Sequence, residues 1–387
     1  MRFPEFSGEW NKYTINDLAT VVGGGTPDTT VKSYWGGDIQ WFTPSEIGKN
    51  KYVDFSKRTI TRDGLDNSSA KLLPLHTILL SSRATVGECS IASNECTTNQ
   101  GFQSLIAKQC NIDFLYYLIQ TKKKDLIRNA CGSTFLEISA NEIRKIKVAV
   151  PVQNEQEQIA KLLSLIDERI ATQNKIIEDL KKLKSAISKH LFARKDLLET
   201  TICLSNIATL KNGYAFQSGK YNALGKWKIL TITNVPGERY INDEDCNCII
   251  NLPNDIQDHQ VLKEGDILIS LTGNVGRVSL CKNGNYLLNQ RVGLLQLAKN
   301  VNQEFLYQIL SSQRFENSMI ACGQGAAQMN IGKGDVENYV LPYSSNGNNI
   351  LFAAKILHSY DECIINELRR LTLLTMQKQY LLTQMFI

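Results

Sequence analysis

Residues 159–191 read IAKLLSLIDERIATQNKIIEDLKKLKSAISKHL, and this stretch decides the fold because its apolar residues recur every 3.5 positions. Alternating steps of four and three residues from Ile159 reach ten positions, of which eight are apolar and two, Gln173 and Lys184, are polar. A sustained period of 3.5 residues is typical of a coiled-coil helix. A helix of this length would span about 48 Å, at about 1.5 Å per residue. The apolar positions are Ile159, Leu163, Ile166, Ile170, Ile177, Leu180, Ile187 and Leu191.

The same pattern returns 194 residues later, with Glu367 and Lys378 in place of Gln173 and Lys184. An ordinary amphipathic helix packed on its own domain would explain one such segment. It does not explain two segments with matching polar interruptions, so we predict two coiled-coil helices. The apolar positions of the second are Ala353, Leu357, Tyr360, Ile364, Leu371, Leu374, Leu381 and Met385.

The segments before the two helices also repeat, at an offset of 188 to 191 residues. For example, residues 77–81 (TILLS) return as residues 266–270 (DILIS). A single repeat of this length indicates two copies of one domain, because solenoid repeats are only about 20 to 50 residues long. The predicted division is a first domain, a central helix, a second domain and a C-terminal helix, at residues 1–152, 153–198, 199–342 and 343–387.

Each copy mixes strand and helix signals. Apolar runs at residues 77–82 and 266–271 are followed by a glycine-containing turn and a second apolar run, which predicts a β-hairpin. Residues 114–129 and 305–319 carry apolar residues at helical spacing. The sequence therefore predicts the α+β class.

Composition limits the classes of protein. The 387 residues are 43% hydrophobic and 21% charged, as in ordinary globular proteins. No apolar run is long enough to span a membrane and the N-terminus has no secretory signal, so we expect a cytoplasmic protein without membrane contact. The ten scattered cysteines are expected to be reduced, and the lack of a Cys-x-x-Cys motif argues against a zinc site. The net charge of +5 is spread along the chain, so DNA binding would need locally placed side chains or charge from a partner.

Catalytic motifs are missing from the sequence. The glycines at 23–25 lead into Thr26-Pro27 where a phosphate-binding loop needs Gly-Lys-Ser/Thr. No Glu-x-Lys or His-Glu-x-x-His occurs, and Pro342-Tyr343 is not preceded by the Asn-Pro or Asp-Pro of an adenine methyltransferase. We therefore predict a chain that performs no catalysis and holds no cofactor or metal.

What remains are loops rich in small polar, amide and aromatic side chains, which are the groups that read base edges. A purely structural role in the loops is the competing interpretation for each residue. In the first domain the candidates for DNA contact are Gly25, Thr26, Trp35, Trp41, Thr43, Ser45, Ser82, Arg83 and Thr85. In the second domain they are Asn212, Tyr214, Thr231, Thr233, Asn234, Thr272, Asn274, Arg277 and Gln324.

Two further interpretations concern these loops. Arg83 could bind guanine or a phosphate, since its counterpart is Thr272 and the fold does not require the charge. The alternative is a surface ion pair with Glu88 or another carboxylate. The pairs Asn99-Gln100 and Asn289-Gln290 occur in both copies, so we interpret them as structural.

The sequence resembles the specificity subunits of type I restriction-modification systems. The residues that carry the resemblance are the opening RFPEF at residues 2–6, Gly25-Thr26-Pro27, the tryptophan-rich run at 34–41, and the helix onset with Glu155-Gln156. The second helix has Asn348-Asn349 where the first has Glu155-Gln156, so docking of partners at the two helix bases need not be symmetric.

The resemblance implies a function and partners. Each domain would read one half of a bipartite site in double-stranded DNA, and the two helices would pair antiparallel as a spacer. Two methyltransferase subunits would supply S-adenosylmethionine chemistry, and optional restriction subunits would use ATP with magnesium. The spacer positions would be Ile159, Leu163, Ile166, Ile170, Ile177, Leu180, Ile187, Leu357, Ile364, Leu371, Leu374 and Leu381.

Two other classes of function remain open at this point. A coiled-coil scaffold with two protein-binding domains would fit the same architecture without any DNA contact. A degenerate enzyme is the third interpretation.

Overall fold

The computed structural model describes residues 2–132, 136–323 and 329–386, and it divides into two units. The first unit combines residues 1–174 with residues 370–387, and the second unit is residues 175–369. Each unit therefore takes part of both long helices, whereas the predicted domains end before the helices begin. The predicted domain limits remain predictions.

In its described residues, the first unit contains ten strands. β2, β9, β6, β7 and β4 form one sheet in that order, β5, β3 and β8 form a second, and β1 pairs antiparallel with β10. The strands are β1 Asn11–Thr14, β2 Ala19–Gly23, β3 Trp35–Phe42, β4 Tyr52–Val53, β5 Arg58–Ile60, β6 Ile78–Leu80, β7 Cys89–Ala92, β8 Cys96–Thr98, β9 Gln103–Ala107 and β10 Lys147–Val150. The helices are α1 Ile15–Leu18, α2 Arg62–Asp66, α3 Ile112–Thr121, α4 Lys123–Arg128, α5 Ala140–Lys145 and the long α6 Gln153–Ala193, which continues into the second unit.

The second unit repeats this arrangement. β12, β19, β16 and β17 form one sheet, β14, β13, β18 and β15 form another, and β11 pairs with β20. The strands are β11 Thr200–Cys203, β12 Ala208–Asn212, β13 Trp227–Leu230, β14 Asn247–Ile249, β15 Val261–Leu262, β16 Ile267–Ser270, β17 Val278–Leu280, β18 Tyr286–Leu288, β19 Val292–Leu297 and β20 Val340–Tyr343. The helices are α7 Gln303–Leu310, α8 Gln313–Cys322, α9 Lys333–Glu337 and the long α10 Gly347–Met385, which ends in the first unit.

The strand pairings establish the repeat in detail. The two strands without a counterpart correspond to single bridges in the other copy. β4 pairs parallel with β7, where the second unit has the parallel bridge between Tyr240 and Leu280. β15 pairs antiparallel with β18, where the first unit has the antiparallel bridge between Leu73 and Cys96. The two units therefore share one α+β topology, as the sequence repeat predicts.

The predicted hairpins are present as β6–β7 and β16–β17, both antiparallel. Each turn closes on a glycine with positive φ, Gly87 at +88° and Gly276 at +77°. Glycine suits these positions because a side chain is strained in this backbone region.

The helical spacing at residues 114–129 and 305–319 corresponds to helices in the structure, and each region contains two of them. Side-chain hydroxyls end the first helix of each pair. Thr121 Oγ1 donates to the carbonyl of Leu118 at 2.7 Å, and Ser312 Oγ donates to the carbonyl of Ile309 at 2.6 Å. Hydroxyls near a helix end compete with the backbone hydrogen bonds that would continue the helix.

The 3.5-residue pattern lies in α6 and α10. None of the twelve spacer positions is exposed in the structure. Ile159, Leu163 and Ile166 share the core of the first unit with Leu381, and Leu357 belongs to the core of the second unit. In the described part of the chain, no helix is long and apolar enough to cross a membrane.

The two lysines that interrupt the apolar pattern are ion-paired. Lys378 Nζ lies 2.7 Å from Asp167 Oδ1 in the first unit. Lys184 Nζ lies 2.5 Å from Asp361 Oδ1 in the second unit. A lysine is tolerated among the mostly apolar contact positions of two helices when a carboxylate on the facing helix compensates its charge.

Candidate nucleic-acid interface

Both units gather their candidate loops around the repeated Asn-Gln turn. In the first unit the hydroxyl of Thr26 contacts Gln100 Oε1, and Ser82 N donates to the carbonyl of Gly101 at 2.8 Å. Asn99 Oδ1 accepts from Gly101 N at 2.9 Å and so holds the turn itself. The structure thus brings together loops that are far apart in the sequence.

The second unit has the same organisation. Gln290 N donates to the carbonyl of Tyr214 at 3.0 Å, and Leu271 N donates to the carbonyl of Arg291 at 3.1 Å. Asn289 Oδ1 accepts from Arg291 N at 3.3 Å. In both units the asparagine side chain bonds its own turn, which agrees with the structural interpretation of the repeated pair.

A hydroxyl cluster follows β3 and β13 at corresponding positions. In the first unit Thr43 donates from N and Oγ1 to Glu46 Oε2 at 2.8 and 2.6 Å, and Thr43 Oγ1 lies 3.1 Å from Ser45 Oγ. This is a capping box, in which the threonine and the third residue after it satisfy each other's backbone groups. Ser45 is exposed.

The second unit repeats the cluster with different residues. Thr231 donates to Asn234 Oδ1 from both N and Oγ1, at 2.8 and 2.9 Å, and lies 2.9 Å from Thr233 Oγ1. Thr233 is exposed, and the Asn234 side chain is buried. Neutral Asn234 stands where the first unit has the carboxylate of Glu46, so the two clusters differ in charge.

The hairpin turn of the first unit carries Arg83 and Thr85. Arg83 is ion-paired, but with Glu137, at 2.5 Å, and not with Glu88, which contacts Lys123. Thr85 is exposed, and its Oγ1 lies 3.0 Å from Ser81 Oγ. In this structure Arg83 is therefore paired with a carboxylate, as the alternative interpretation expects.

The hairpin turn of the second unit is held in a similar way. Thr272 Oγ1 donates to Asn330 Oδ1 at 3.1 Å, and Arg277 Nε lies 3.5 Å from Glu316 Oε1. Asn274 is exposed at the tip. Gln324 lies outside the described residues.

The remaining candidates are divided between packing and surface. Trp35 is half-buried, and its Nε1 donates to the carbonyl of Asp28 at 3.1 Å. Asn212 is exposed, and Tyr214 donates its hydroxyl to Asp255 at 2.8 Å, with its ring 4.8 Å from Phe216. The hydrogen bond to Asp255 is the main cause of the raised pKa of Tyr214.

Five candidates need correction because they are buried. Trp41 is 4% exposed and donates Nε1 to the carbonyl of Gly25 at 3.0 Å. A Cβ at Gly25 would lie 2.3 Å from Ala70 N, so this glycine permits close packing of two loops. Ser82, Asn234 and Thr272 are 0%, 3% and 9% exposed. These five residues build the loops and do not offer a surface to DNA, while the other described candidates remain predictions.

Sequence reasoning missed two exposed arginines beside these loops. Arg291 follows the Asn289-Gln290 turn at the position where the first unit has Gly101. Arg58 begins β5, and its guanidinium carbon lies 3.6 Å from the ring centroid of Trp35. A basic and aromatic run, Phe55-Ser56-Lys57-Arg58, was the signal that could have found Arg58.

A polar cluster joins each domain to its long helix, and we call these clusters the first and second junctions. In the first junction Lys51 Nζ lies 2.8 Å from Asp113 Oδ1 and 2.6 Å from Ser164 Oγ on α6. Tyr117 donates its hydroxyl to Asp167 Oδ2 at 2.7 Å. Burial, followed by the charge of Asp167, raises the pKa of Tyr117, so the tyrosine is a hydrogen-bond donor at neutral pH.

In the second junction Arg239 contacts two carboxylates, Glu304 at 2.6 Å and Asp361 of α10 at 2.9 Å. Gln308 Nε2 donates to the same Asp361 oxygen at 2.6 Å. Burial alone would raise the pKa of Glu304, but its hydrogen bond with Arg239 leads the opposing effects, and the net shift is downward. The carboxylate is therefore held in its charged form.

The Glu155-Gln156 pair at the base of α6 makes intramolecular hydrogen bonds. Glu155 is 0% exposed and makes two hydrogen bonds of 2.6 Å with Arg2. Gln156 accepts from Asn111 N at 3.0 Å and donates to the carbonyl of Pro151 at 2.9 Å. The pair fixes the N-terminal segment and the start of α3 to the helix. Within residues 2–132, 136–323 and 329–386, no cluster of His, Cys, Asp or Glu resembles a metal site.

Comparison with known proteins follows the repeat. A family model for the type I restriction modification DNA specificity domain matches residues 7–182 and again residues 199–375. The type I restriction enzyme MjaIX specificity subunit of Methanocaldococcus jannaschii is 38% identical over 192 residues, which is 48% of this chain and 44% of that protein. The EcoR124I/EcoR124II specificity subunit of Escherichia coli is 28% identical over 206 residues, covering 51% and 50%. The chain spans about half the length of the curated relatives it matches.

Two solved structures share the fold over nearly the whole chain. The type I restriction-modification S subunit from M. genitalium has a TM-score of 0.58 and 18% identity, over 100% of this chain and 99% of that one. A chain from a structure of type I R-M complex assembly and conformational transition has a TM-score of 0.60 and 13% identity, over 98% of both chains. At these identities the likeness concerns the fold alone.

Proposed function

This chain belongs to the family of type I restriction-modification specificity subunits, and from that premise we propose that it is the non-catalytic subunit that selects the DNA target of a type I complex. Each domain would read one half of a bipartite double-stranded target. One observation carries the proposal: both units gather the same loops around an Asn-Gln turn but expose different side chains. Ser45 and Gly101 stand where the second unit has Thr233 and Arg291. A shared framework with different exposed groups suits two different half-sites.

The long helices would form the spacer between the half-sites. We propose that α6 and α10 pair as an antiparallel coiled coil that relates the two domains by a pseudo-twofold axis. In support, adding the repeat offset of 194 to Asp167 gives Asp361, and adding it to Lys184 gives Lys378. The ion pairs Asp167–Lys378 and Lys184–Asp361 are thus the same pair under the repeat. Antiparallel helices place residues in this crossed order.

The helices would also bind the methyltransferase subunits. On α10 in the first unit, Leu373, Met376 and Tyr380 lie on one helix face and are 64%, 63% and 58% exposed. Leu165 of α6 is 48% exposed and, with Leu373, lines a groove of about 600 Å³. Exposed apolar groups of this kind mark a protein-binding surface.

The proposed complex divides the chemistry between subunits. Two methyltransferase subunits would use S-adenosylmethionine to methylate adenine after flipping the base out of the stack. Optional restriction subunits would use ATP with magnesium. This chain would hold the DNA in the cytoplasm without a cofactor of its own.

A scaffold that binds proteins but not DNA is the competing function. The two functions differ in the sequence dependence of DNA binding by the complex assembled with its methyltransferase subunits. Selection from randomised duplexes should yield a split motif for a specificity subunit. A scaffold would show equal affinity for all duplexes.

The spacer role has its own test, which uses the two places where the chain passes between the units. Seven residues with heptad pattern would be inserted after Asn174 and seven more after Arg369, so that neither unit is interrupted. Two helical turns add about 10 Å, which corresponds to about three base pairs. We expect the preferred gap to lengthen by that amount while both half-sites stay the same. An unchanged gap would refute the spacer role and leave target selection by the domains intact.

A further inference from the structure

Arg58 is held in an unusual way for a surface arginine. Its guanidinium carbon lies 3.6 Å from the centroid of the Trp35 ring and 5.5 Å from that of Trp41. The shorter distance is that of a planar guanidinium lying on the ring face. Trp35 is itself fixed, because its Nε1 donates to the carbonyl of Asp28 and its ring meets Trp41 edge-on at 5.0 Å.

Within the described residues, no hydrogen bond or ion pair occupies the N–H donors of Arg58, whereas three other exposed arginines of the first unit are ion-paired. Arg83 pairs with Glu137, Arg62 with Asp66, and Arg128 with Asp125. The Arg58 guanidinium instead lies over the rings of Trp35 and Trp41. Stacking orients the guanidinium without using its N–H groups, which stay available to a ligand.

Arg58 also lies beside the proposed reading loops. Ser56 Oγ donates to the Arg58 carbonyl at 2.6 Å and accepts from Trp41 N at 2.9 Å. Lys57 N donates to Glu46 Oε1 at 2.6 Å, and Glu46 is the residue that caps the Thr43 cluster. The segment before β5 is therefore fastened to the hydroxyl cluster by hydrogen bonds.

The same segment adds an aromatic and a second cation. Phe55 is 81% exposed, and Lys57 is exposed two residues later. A large apolar side chain that is almost fully solvated contributes nothing to the core, and its place next to two cations resembles a nucleic-acid surface. We call Trp35, Phe55, Lys57 and Arg58 the stacked-arginine patch.

The fold does not require this patch. Arg58 pairs with Trp41 across β3 and β5, and the equivalent pair in β13 and β14 is Ile229 with Asn247. The second unit keeps the strands but has neither the ring nor the charge at these positions. The stack is therefore specific to the first unit, as expected of a group that serves its particular half-site.

We propose that Arg58, oriented by Trp35, reads a guanine in the first half-site through the O6 and N7 atoms in the major groove. A planar, pre-oriented guanidinium matches the two acceptors of guanine better than those of any other base. Lys57 provides a neighbouring phosphate contact. The inference rests on the proposed function, and it transfers the role first expected of Arg83 to Arg58.

The test uses the complex assembled with its methyltransferase subunits, first to select the target and then to bind target and single-mismatch duplexes at two salt concentrations. Arg58→Ala should weaken target binding about 5- to 150-fold and remove the preference at one G·C position of the first half-site. Arg58→Lys should weaken the same preference, since an ammonium group lacks the planar fork that stacks on Trp35 and is oriented by it. Arg62→Ala is the matched control, because Arg62 is an exposed arginine on the adjoining α2.

The outcomes separate the inference from the proposed function. Undiminished preference for the second half-site in Arg58→Ala would show that the complex remains folded. Equal weakening for all sequences with a shallower salt slope would mean a phosphate contact and would overturn the guanine assignment. The assignment would also be overturned if Arg58→Ala weakened target binding no more than Arg62→Ala does, or less than Arg83→Ala does. A wild-type complex without any sequence preference would refute the proposed function itself and the inference with it.

Discussion

The two junctions occupy the same place in the repeated fold but are built from different polar groups. Lys51 and Arg239 each precede a tyrosine, Tyr52 or Tyr240, whose backbone pairs with the second strand of the hairpin. Lys51 forms an ion pair with Asp113 in the first turn of α3, and Arg239 forms one with Glu304 in the first turn of α7. Arg239 is 8% exposed and also forms an ion pair with Asp361 on α10. On α6, Lys51 instead donates a hydrogen bond to the hydroxyl of Ser164. One topology thus tolerates either a continuous chain of ion pairs or separate pairs linked by hydroxyls. The two units therefore join domain and long helix at the same place in the fold, but with different polar side chains.

The largest effect should come from breaking the second junction. Arg239→Met removes a buried cation that faces two carboxylates, and we expect a loss of about 3 to 5 kcal/mol in the free energy of unfolding. Urea unfolding with hydrogen exchange and mass spectrometry would locate the loss in the second unit. The double variant Arg239→Met with Glu304→Gln is the control, and it should recover part of the loss. A loss below about 1 kcal/mol would show that the ion-pair chain is not what holds the domain.

The same change in the first junction should cost less. Lys51→Met leaves Asp113, which is 29% exposed and can be hydrated, so we expect about 1 to 3 kcal/mol. Lys49→Met, two residues away on the exposed part of the same loop, should be nearly neutral in the same urea experiment. Equal costs for Lys51→Met and Arg239→Met would contradict the contrast between the two junctions.

Acid should affect the second unit through Asp243, which has no charged counterpart in the first. Hydrogen bonds from Lys228, followed by those from Lys282 and Tyr286, lower the pKa of Asp243 below its ordinary 3.8. A lowered pKa in the folded state means that the carboxylate stabilises the fold above about pH 4 and loses this effect as the pH falls further. Asp243→Asn should therefore cost about 1 to 2 kcal/mol at pH 7 and progressively less towards pH 3.

Thermal unfolding between pH 7 and pH 3 would measure this trend. Asp258→Asn, which alters an exposed carboxylate of the same unit, is the matched control. A constant difference between wild type and Asp243→Asn over the whole range would rule out the linkage.

The smallest effect should be the difference between the two hairpin glycines. Both have positive φ, so alanine is strained at either position. A Cβ at Gly276 would lie 2.7 Å from Met319 Cβ, near the backbone of α8, whereas at Gly87 it would meet Lys123 Cγ, on a longer flexible chain. Gly276→Ala should therefore cost about 1 kcal/mol more than Gly87→Ala in unfolding experiments. The reverse order would mean that the α8 contact adapts easily.

The sequence was informative where the signal is periodic or repeated. The 3.5-residue pattern located α6 and α10, and the repeat predicted two α+β copies, because both signals can be measured as spacings along the sequence. The reason for a lysine at 184 and 378 was not visible, since the compensating Asp361 and Asp167 lie on the facing helix at positions outside the pattern. Residue type alone predicts neither register nor distant partners.

The same limit explains the errors in the candidate interface. Ser82 and Asn234 look like surface residues in the sequence, but both side chains are buried in the folded chain. Arg58 was missed because its stacking depends on the register between β3 and β5, which places the guanidinium over tryptophan rings. Candidate loops could be predicted, but not which of their side chains face outward.

The composition of the first unit has a consequence for biosynthesis. Its core includes Leu381, Leu382 and Met385, and Phe386 stacks on Phe114 at 5.2 Å and meets Trp10 edge-on at 6.3 Å. The second unit, by contrast, is a single continuous stretch of chain. During translation the ribosome must therefore make the entire second unit before the first can complete its core, a delay on the order of 10 to 40 s at typical synthesis rates. Until residues 381–385 have been synthesised, the first unit lacks part of its core.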